Sequence, residues 1–93
     1  MIRKHLIAHG RVQHVGFRYI CSHIAAECHL TGWVKNNYDG TVEIEVQGAD
    51  HRVDLFIQEV KAGNRFINVT RLDELNIPLV AVKDERSFRV RYD

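Results

Sequence analysis

Residues 10–18, which read GRVQHVGFR, are the segment whose residue types and spacing could bind an anion. They join a predicted strand to a predicted amphipathic helix. Amides at a helix N-terminus have no partner inside the helix and lie at the positive end of its dipole. Gly10 and Gly16 would let the backbone curl and approach a ligand closely. Arg18 would lie in the first turn of this helix, where the helix dipole disfavours a positive charge. An anion bound between Arg18 and the loop would explain an arginine at this position.

On these residues alone a second interpretation stays open, in which the loop is a tight strand-to-helix turn and Arg18 lies on the surface. The loop lacks the Gly-Lys-Ser/Thr of nucleotide-binding phosphate loops. Residues 32–36 (GWVKN), followed by the turn-forming residues 37–40 (NYDG), are the second segment of interest. By itself this segment predicts a hairpin, in which Asn36 would have a structural role.

Hydrophobic periodicity predicts the elements that would position these two segments. Residues 4–12 predict a strand, and apolar residues at three-and-four spacing predict a helix over residues 17–30. A short strand opens at Trp33. Asp39-Gly40 predicts a tight hairpin turn, and residues 41–47 alternate strictly between apolar and polar side chains, as a half-buried strand does.

The second half of the chain supplies the remaining elements. A helix follows with Asp50 as its predicted N-cap and Gly63 at its C-terminal end. Residues 66–75 predict a strand and residues 87–92 a short final one, so the order is βαββαβ plus a short C-terminal strand. Hairpin links favour antiparallel neighbours, and helical crossovers are right-handed. The simplest packing is an α+β, ferredoxin-like (split βαβ) sandwich, with two helices on one face of an antiparallel sheet.

Length and charge narrow the class of protein. The chain has 93 residues, 45% of them hydrophobic, which predicts a single domain over residues 1–93. Its formal net charge of +1 comes without a polybasic arm, so wholesale binding to nucleic acid or an anionic membrane is disfavoured. No signal peptide or membrane span is visible. Cys21 and Cys28 lie too far apart along one predicted helix to form a disulfide, which predicts free thiols in a reducing cytoplasm.

Taken together, the two segments resemble the signatures of the acylphosphatase family. Residues 10–18 match its glycine-loop-arginine signature. The fixed positions of its second signature are matched by Gly32, Trp33, Val34, Lys35, Asn36, Gly40, Val42 and Gly48. The similarity extends to the order of elements along the whole chain, and the family fold is the ferredoxin-like one.

The resemblance implies an enzyme that hydrolyses acyl phosphates, which are carboxyl-phosphate mixed anhydrides, to carboxylate and inorganic phosphate. Arg18 would grip the phosphoryl group through two hydrogen bonds, and Asn36 would orient the attacking water. The phosphoryl oxygens would be cradled by the backbone amides of His14, Val15, Gly16, Phe17 and Arg18. The resemblance implies no metal and no cofactor. The expected partner is a small-molecule acyl phosphate, without nucleic acid or membrane, and the protein is expected to be a cytoplasmic monomer.

His14 departs from the family pattern, which usually has glycine at this position. If the position needs a positive φ, histidine adopts it less comfortably than glycine. The histidine therefore supports an alternative in which the domain senses a ligand or has lost its activity.

Two further classes of function are alternatives to hydrolysis. Metal binding would use His5 and His9 on one strand face, or Cys28 with His29, but no pair has the spacing of a closed zinc site. RNA-recognition domains share this fold and display aromatic residues within a basic motif. Acidic residues repel phosphates, and the strand over residues 41–47 shows on one side Thr41, Glu43, Glu45 and Gln47.

Overall fold

The computed structural model describes the whole chain, residues 1–93. The elements are β1 (Ile2–Arg11), α1 (Phe17–Glu27), β2 (Thr31–Asn36), β3 (Val42–Gly48), α2 (Asp50–Ala62), β4 (Asn68–Ile77), a 3₁₀ turn (Val82–Asp84) and β5 (Phe88–Arg91). The predicted order is confirmed. The first helix ends three residues earlier than expected, because the chain turns away after Cys28 and His29 adopts a φ of 55°.

The five strands form one sheet in the order β4-β1-β3-β2-β5, with both helices on one face. The first four strands pair antiparallel, as expected, but β5 runs parallel to β2, so the sheet is mixed rather than wholly antiparallel. The end of β4 lies beside the start of β1, where Ile77 pairs with Arg3. The chain then crosses this end of the sheet and enters β5 next to the start of β2, where Phe88 pairs with Gly32. A strand that starts at the same end as β2 must run parallel to it.

The core lies between the sheet and the helices, and its residues are those of the predicted apolar stripes. Val42, Ile44 and Val46 of β3 are fully buried, as the alternation in this strand predicts. The buried stripe of α2 consists of Val53, Phe56, Ile57 and Val60. No helix in the chain has both the length and the apolar character that crossing a membrane requires.

The start of α2 differs from the prediction. Ala49 occupies the N-cap, and Asp50 is the first helical residue, where its carboxylate lies 3.1 Å from the amino terminus of Met1. The carboxylate therefore meets the positive end of the helix dipole without capping a backbone amide. Gly63 does end the helix, as predicted, with a φ of 61°.

A buried ion-pair cluster, which we name the Arg3 cluster (Arg3, Glu45, Gln47 and Glu85), fixes the segment that crosses from β4 to β5. Arg3 is only 2% exposed and lies 2.8 Å from Glu45 and 2.7 Å from Glu85. Burial alone would lower the pKa of Arg3, but its hydrogen bonds to Glu85 and Glu45 outweigh this and raise it. Gln47 exchanges two hydrogen bonds of 2.9 Å with the backbone of Val80.

Candidate active site

The two predicted site segments meet at one end of the sheet. The loop that links β1 to α1 lies beside the end of β2, and both border a cavity of about 510 Å³. Of the six predicted site residues, the structure brings five to this cavity, namely His14, Gly16, Phe17, Arg18 and Asn36. Val15 is not part of the lining, because its half-buried side chain packs against the hydrophobic core.

The N-terminus of α1 is left open by its sequence. Gly16 is the N-cap, with a φ of 78°, and no side chain caps the helix. No acidic residue lies in the first turn. The first amides of α1 therefore lack a side-chain acceptor, which leaves them available to an anion.

The two glycines of residues 10–18 have different roles. A Cβ on Gly16 would meet no heavy atom within 4 Å, so its left-handed backbone is the reason for glycine there. Gly10 lies within β1, at an irregularity in the pairing with β4, and a Cβ on it would collide with the carbonyl oxygen of Asn68. Of the two glycines expected to shape the loop, only Gly16 does so.

His14 has a φ of 61°, so the position that usually holds glycine does require a left-handed backbone. Its side chain is exposed and lines the cavity. A non-glycine residue pays a conformational penalty in this region of the backbone map, and it persists only where the surroundings enforce it.

Arg18 enters the cavity from the first turn of α1 without a counterion from the protein. No carboxylate oxygen lies within 4.0 Å of its guanidinium nitrogens. Its guanidinium group makes a cation–π contact with Tyr92, in which the guanidinium carbon lies 4.9 Å from the centre of the ring. An arginine of this kind, beside open helix amides, can hold a phosphate or carboxylate through its planar fork of donors.

Asn36 is the last residue of β2 and borders the same cavity. Its side-chain oxygen Oδ1 is buried and has no hydrogen-bond partner, and it is the one buried side-chain nitrogen or oxygen in the structure for which this holds. Leaving a buried acceptor unsatisfied costs about 1–3 kcal/mol. Nearly all buried polar atoms in native proteins have a partner, so this unpaired oxygen marks Asn36 as an exception that calls for an explanation.

Gln13 fixes the loop to the β2–β3 hairpin, a role that the sequence did not reveal. Its Nε2 donates hydrogen bonds to the carbonyl oxygens of Asn37, at 2.8 Å, and Thr41, at 2.9 Å. Because Asn37 follows Asn36 directly, these bonds also set the distance between Asn36 and the loop. A single polar residue in a loop belongs to no periodic pattern. Its position within residues 10–18 is the one sequence feature that points to a role for Gln13.

The hairpin turn is itself held by Asp39. One oxygen of its carboxylate accepts hydrogen bonds from the Thr41 hydroxyl, at 2.6 Å, and from the Thr41 amide, at 2.9 Å. These two hydrogen bonds hold the pKa of Asp39 below its ordinary value. The turn that the sequence predicted at Asp39-Gly40 is confirmed.

The rest of the cavity wall comes from residues that the sequence did not mark as functional. On the helix side it consists of Tyr19, Ser22, His23 and Ala26, and on the strand side of Val90 and Tyr92. Which helix face meets which strand is a tertiary property, so no local pattern could have identified this wall.

The histidines and cysteines that could have bound a metal ion make other contacts. His5 lies 2.7 Å from a carboxylate oxygen of Glu43, and His9 lies 2.9 Å from Asp73. No group of three or more His, Cys, Asp or Glu side chains is arranged to hold a metal ion. Cys21 and Cys28 are both buried free thiols, and burial raises the pKa of each.

Comparisons with known proteins show the family and support the fold. The sequence profile of the acylphosphatase family matches residues 4–90. The acylphosphatase of Geobacillus kaustophilus is 49% identical over 92 residues, which cover 99% of this chain and 96% of that protein. The one of Geobacillus thermodenitrificans is 50% identical over 93 residues with the same coverage. The crystal structure of acylphosphatase from Bacillus subtilis superimposes with a TM-score of 0.91 at 36% identity, covering 99% of this chain and all of that one.

Proposed function

Because the chain belongs to the acylphosphatase family, whose members are hydrolases acting on acid anhydrides, we propose that its 510 Å³ cavity is the site of acyl phosphate hydrolysis. Arg18 and the amides of residues 14–18 bind the phosphoryl group in this scheme, and Asn36 orients the attacking water. One observation carries the proposal: an arginine without a counterion, an open helix N-terminus and an asparagine whose buried amide oxygen is unsatisfied all border one cavity.

The phosphoryl group lies between the loop and Arg18. The open amides of α1 donate to its oxygens, and the guanidinium donates two further hydrogen bonds. These groups are already in place before the substrate arrives, so they stabilise the charge that spreads over the phosphoryl oxygens without costly reorganisation. Positioning and charge stabilisation are what phosphoryl transfer chiefly requires of a protein.

The water is held by Asn36 on the side of the phosphorus opposite the acyl oxygen. The side-chain amide of Asn36 orients this water through a hydrogen bond, and the oxygen of the water attacks phosphorus. The bond between phosphorus and the acyl oxygen breaks, and the carboxylate leaves with the bonding electrons. A phosphoryl oxygen takes the proton of the water. Because a carboxylate is a good leaving group, the scheme contains no protein base and no cofactor.

Asn36→Ala tests this assignment. We expect kcat for benzoyl phosphate to fall by about 100- to 1000-fold, as when one preorganised catalytic hydrogen bond is lost. Inhibition by inorganic phosphate should persist at the parent concentration, because Arg18 and the loop are intact. The thermal midpoint should not fall, since the variant removes a buried atom that had no partner.

Asn76→Ala is the matched control, because this asparagine lies exposed on β4 with no side-chain hydrogen bond. It should hydrolyse benzoyl phosphate at the parent rate. An Asn36→Ala protein as active as this control would refute the role of Asn36.

A further inference from the structure

The cavity extends well beyond the residues that would hold a phosphoryl group. Its volume of about 510 Å³ lies in the range of sites that enclose small organic ligands, roughly 300–1,000 Å³. Three of the lining residues assigned to the phosphoryl site, His14, Arg18 and Asn36, lie at the end formed by the loop, the start of α1 and the end of β2. The remainder continues between α1 and β5, as a region that we name the α1–β5 groove (Tyr19, Ser22, His23, Ala26, Val90 and Tyr92).

The helix wall of the groove follows one face of α1. Tyr19, Ser22, His23 and Ala26 are spaced at i, i+3, i+4 and i+7, so they line a single face over two turns. At about 1.5 Å per residue, the wall runs about 10 Å along the helix away from Arg18. Ser22 and Ala26 are small, so they leave the middle and far end of the groove open.

The strand wall is apolar because β5 alternates. Val90 and Tyr92 face the groove, whereas the arginines at positions 89 and 91 point to the opposite face of the sheet. No carboxylate and no lysine lines the cavity, and Arg18 is its only arginine. The one histidine of the groove, His23, already lies 3.1 Å from a carboxylate oxygen of Glu27, so a second negative charge on the acyl group would lack a free cationic partner there.

Large aromatic surfaces are exposed at the rim. Tyr19 is 67% exposed and Tyr92 is 83% exposed, one on each wall. The rings of Tyr19 and His23 stack nearly parallel, with centres 6.3 Å apart. Covering such surfaces with an apolar group releases water and favours binding.

We propose that the α1–β5 groove binds the acyl group, and that the preferred substrates carry an unbranched, uncharged apolar chain rather than an acetyl group. This inference rests on the proposed function, since it places the phosphoryl group at Arg18. A groove about 10 Å long holds an extended chain of roughly eight carbons. Each methylene that it buries should raise kcat/KM about fourfold, mainly through KM, because substrate and transition state gain equally.

The test measures kcat and KM for acetyl, butyryl, hexanoyl and octanoyl phosphate with the parent and two variants. Ser22→Trp fills the middle of the groove. Ala26→Glu places a charge at its far end, on an exposed position of α1 where glutamate is a good helix former. Gln58→Glu, at an exposed position of α2, is the charge-matched control.

For the parent and Gln58→Glu we expect kcat/KM to rise with chain length. Ala26→Glu should lower the value for octanoyl phosphate at least tenfold and leave that for acetyl phosphate within about twofold. Ser22→Trp should do the same, and if it fails to fold, Ala26→Glu decides alone. A flat profile in a parent that hydrolyses acetyl phosphate through Asn36 would overturn the groove assignment only. No hydrolysis of any member of the series would overturn the proposed function itself.

Discussion

Two arginines lie at opposite ends of the sheet, and their surroundings differ. Arg3 is 2% exposed and is neutralised by two carboxylates, those of Glu45 and Glu85. Arg18 has no carboxylate within 4.0 Å and faces only an aromatic ring. A cation that the protein itself neutralises contributes to folding, whereas one left without a counterion beside open helix amides is available to a ligand.

The amide side chains at the two ends show the same contrast. Gln47, in the Arg3 cluster, uses its oxygen and its nitrogen in hydrogen bonds to the backbone of Val80. Asn36, at the cavity, has a buried oxygen without a partner. The two ends therefore differ in how fully their polar groups are paired: those of the Arg3 cluster all have partners within the folded chain, whereas Arg18 has no carboxylate partner and the buried oxygen of Asn36 has no hydrogen-bond partner.

Of the substitutions that test this comparison, Arg18→Gln should produce the largest change in activity. We expect kcat/KM for benzoyl phosphate to fall about 1000-fold, because two charge-assisted hydrogen bonds to the phosphoryl group are lost. Inhibition by inorganic phosphate should disappear as well, and the free energy of unfolding should stay within about 0.5 kcal/mol of the parent. Arg65→Gln is the control, since Arg65 also lies over an aromatic ring, that of Phe66, but does not line the cavity. Equal losses in both variants would contradict the assignment.

Arg3→Met should give the opposite result, a loss of stability without a loss of turnover. Removing one partner of a buried ion pair leaves the carboxylates of Glu45 and Glu85 unpaired, which should lower the free energy of unfolding by about 3 kcal/mol. The folded fraction should keep its kcat within about twofold. Urea denaturation and a benzoyl phosphate assay at low urea measure both quantities.

The exposed ion pair of Arg71 with Asp73 offers the matched comparison for Arg3. Arg71→Met should cost less than about 1 kcal/mol, because solvent screens such pairs. A similar cost for the two substitutions would mean that the Arg3 cluster does not stabilise the fold in the way described.

Gln13→Ala should have a smaller effect, on activity and stability together. The variant loses both hydrogen bonds that tie the loop to the hairpin, so Asn36 is no longer fixed relative to Arg18. We expect about a tenfold lower kcat, from a modest misplacement of reacting groups, and about 1 kcal/mol lower stability. Gln58→Ala, on the exposed face of α2, should change neither quantity. Unchanged turnover in Gln13→Ala would show that the loop keeps its place without this residue.

Asp39→Asn should have the smallest effect, visible in the pH dependence of stability. Hydrogen bonds from Thr41 lower the pKa of Asp39 in the folded state, so the carboxylate favours folding above its ordinary pKa, about 4. That contribution is lost as the pH falls through the lowered folded-state value. Parent and variant should therefore differ more in urea midpoint at pH 7 than at pH 3. A difference that is equal at the two pH values would contradict this account, and Asp54→Asn on α2 serves as the control.

The sequence predicted those parts of the molecule that depend on neighbouring residues. The apolar periods of Val42–Val46 and of α2 are local, and so are the turn at Asp39 and the spacing of the two signature segments. The resemblance placed Arg18 and Asn36 together, and the structure brings both to one cavity.

What the sequence could not predict depends on contacts between distant residues. The parallel direction of β5 follows from where the chain crosses the sheet, which the Arg3–Glu85 contact fixes across 82 positions. The hydrogen bonds of Gln13 and the wall formed by Val90 and Tyr92 likewise require the tertiary arrangement. Asp50 was misassigned as a cap because an acidic residue is equally suited to the first helical position, where the dipole also favours it.

The strand order β4-β1-β3-β2-β5 has a consequence for the rate of folding. It pairs Arg3 with Ile77 and Val34 with Val90, so much of the sheet forms only after long stretches of chain have closed into loops. Proteins with such non-local pairings fold more slowly than helical proteins of equal length. Because β5 supplies one wall of the cavity, this cavity is assembled only when the Val34–Val90 pairing forms. The rate at which turnover recovers during refolding should therefore report how fast the long loop between Val34 and Val90 closes.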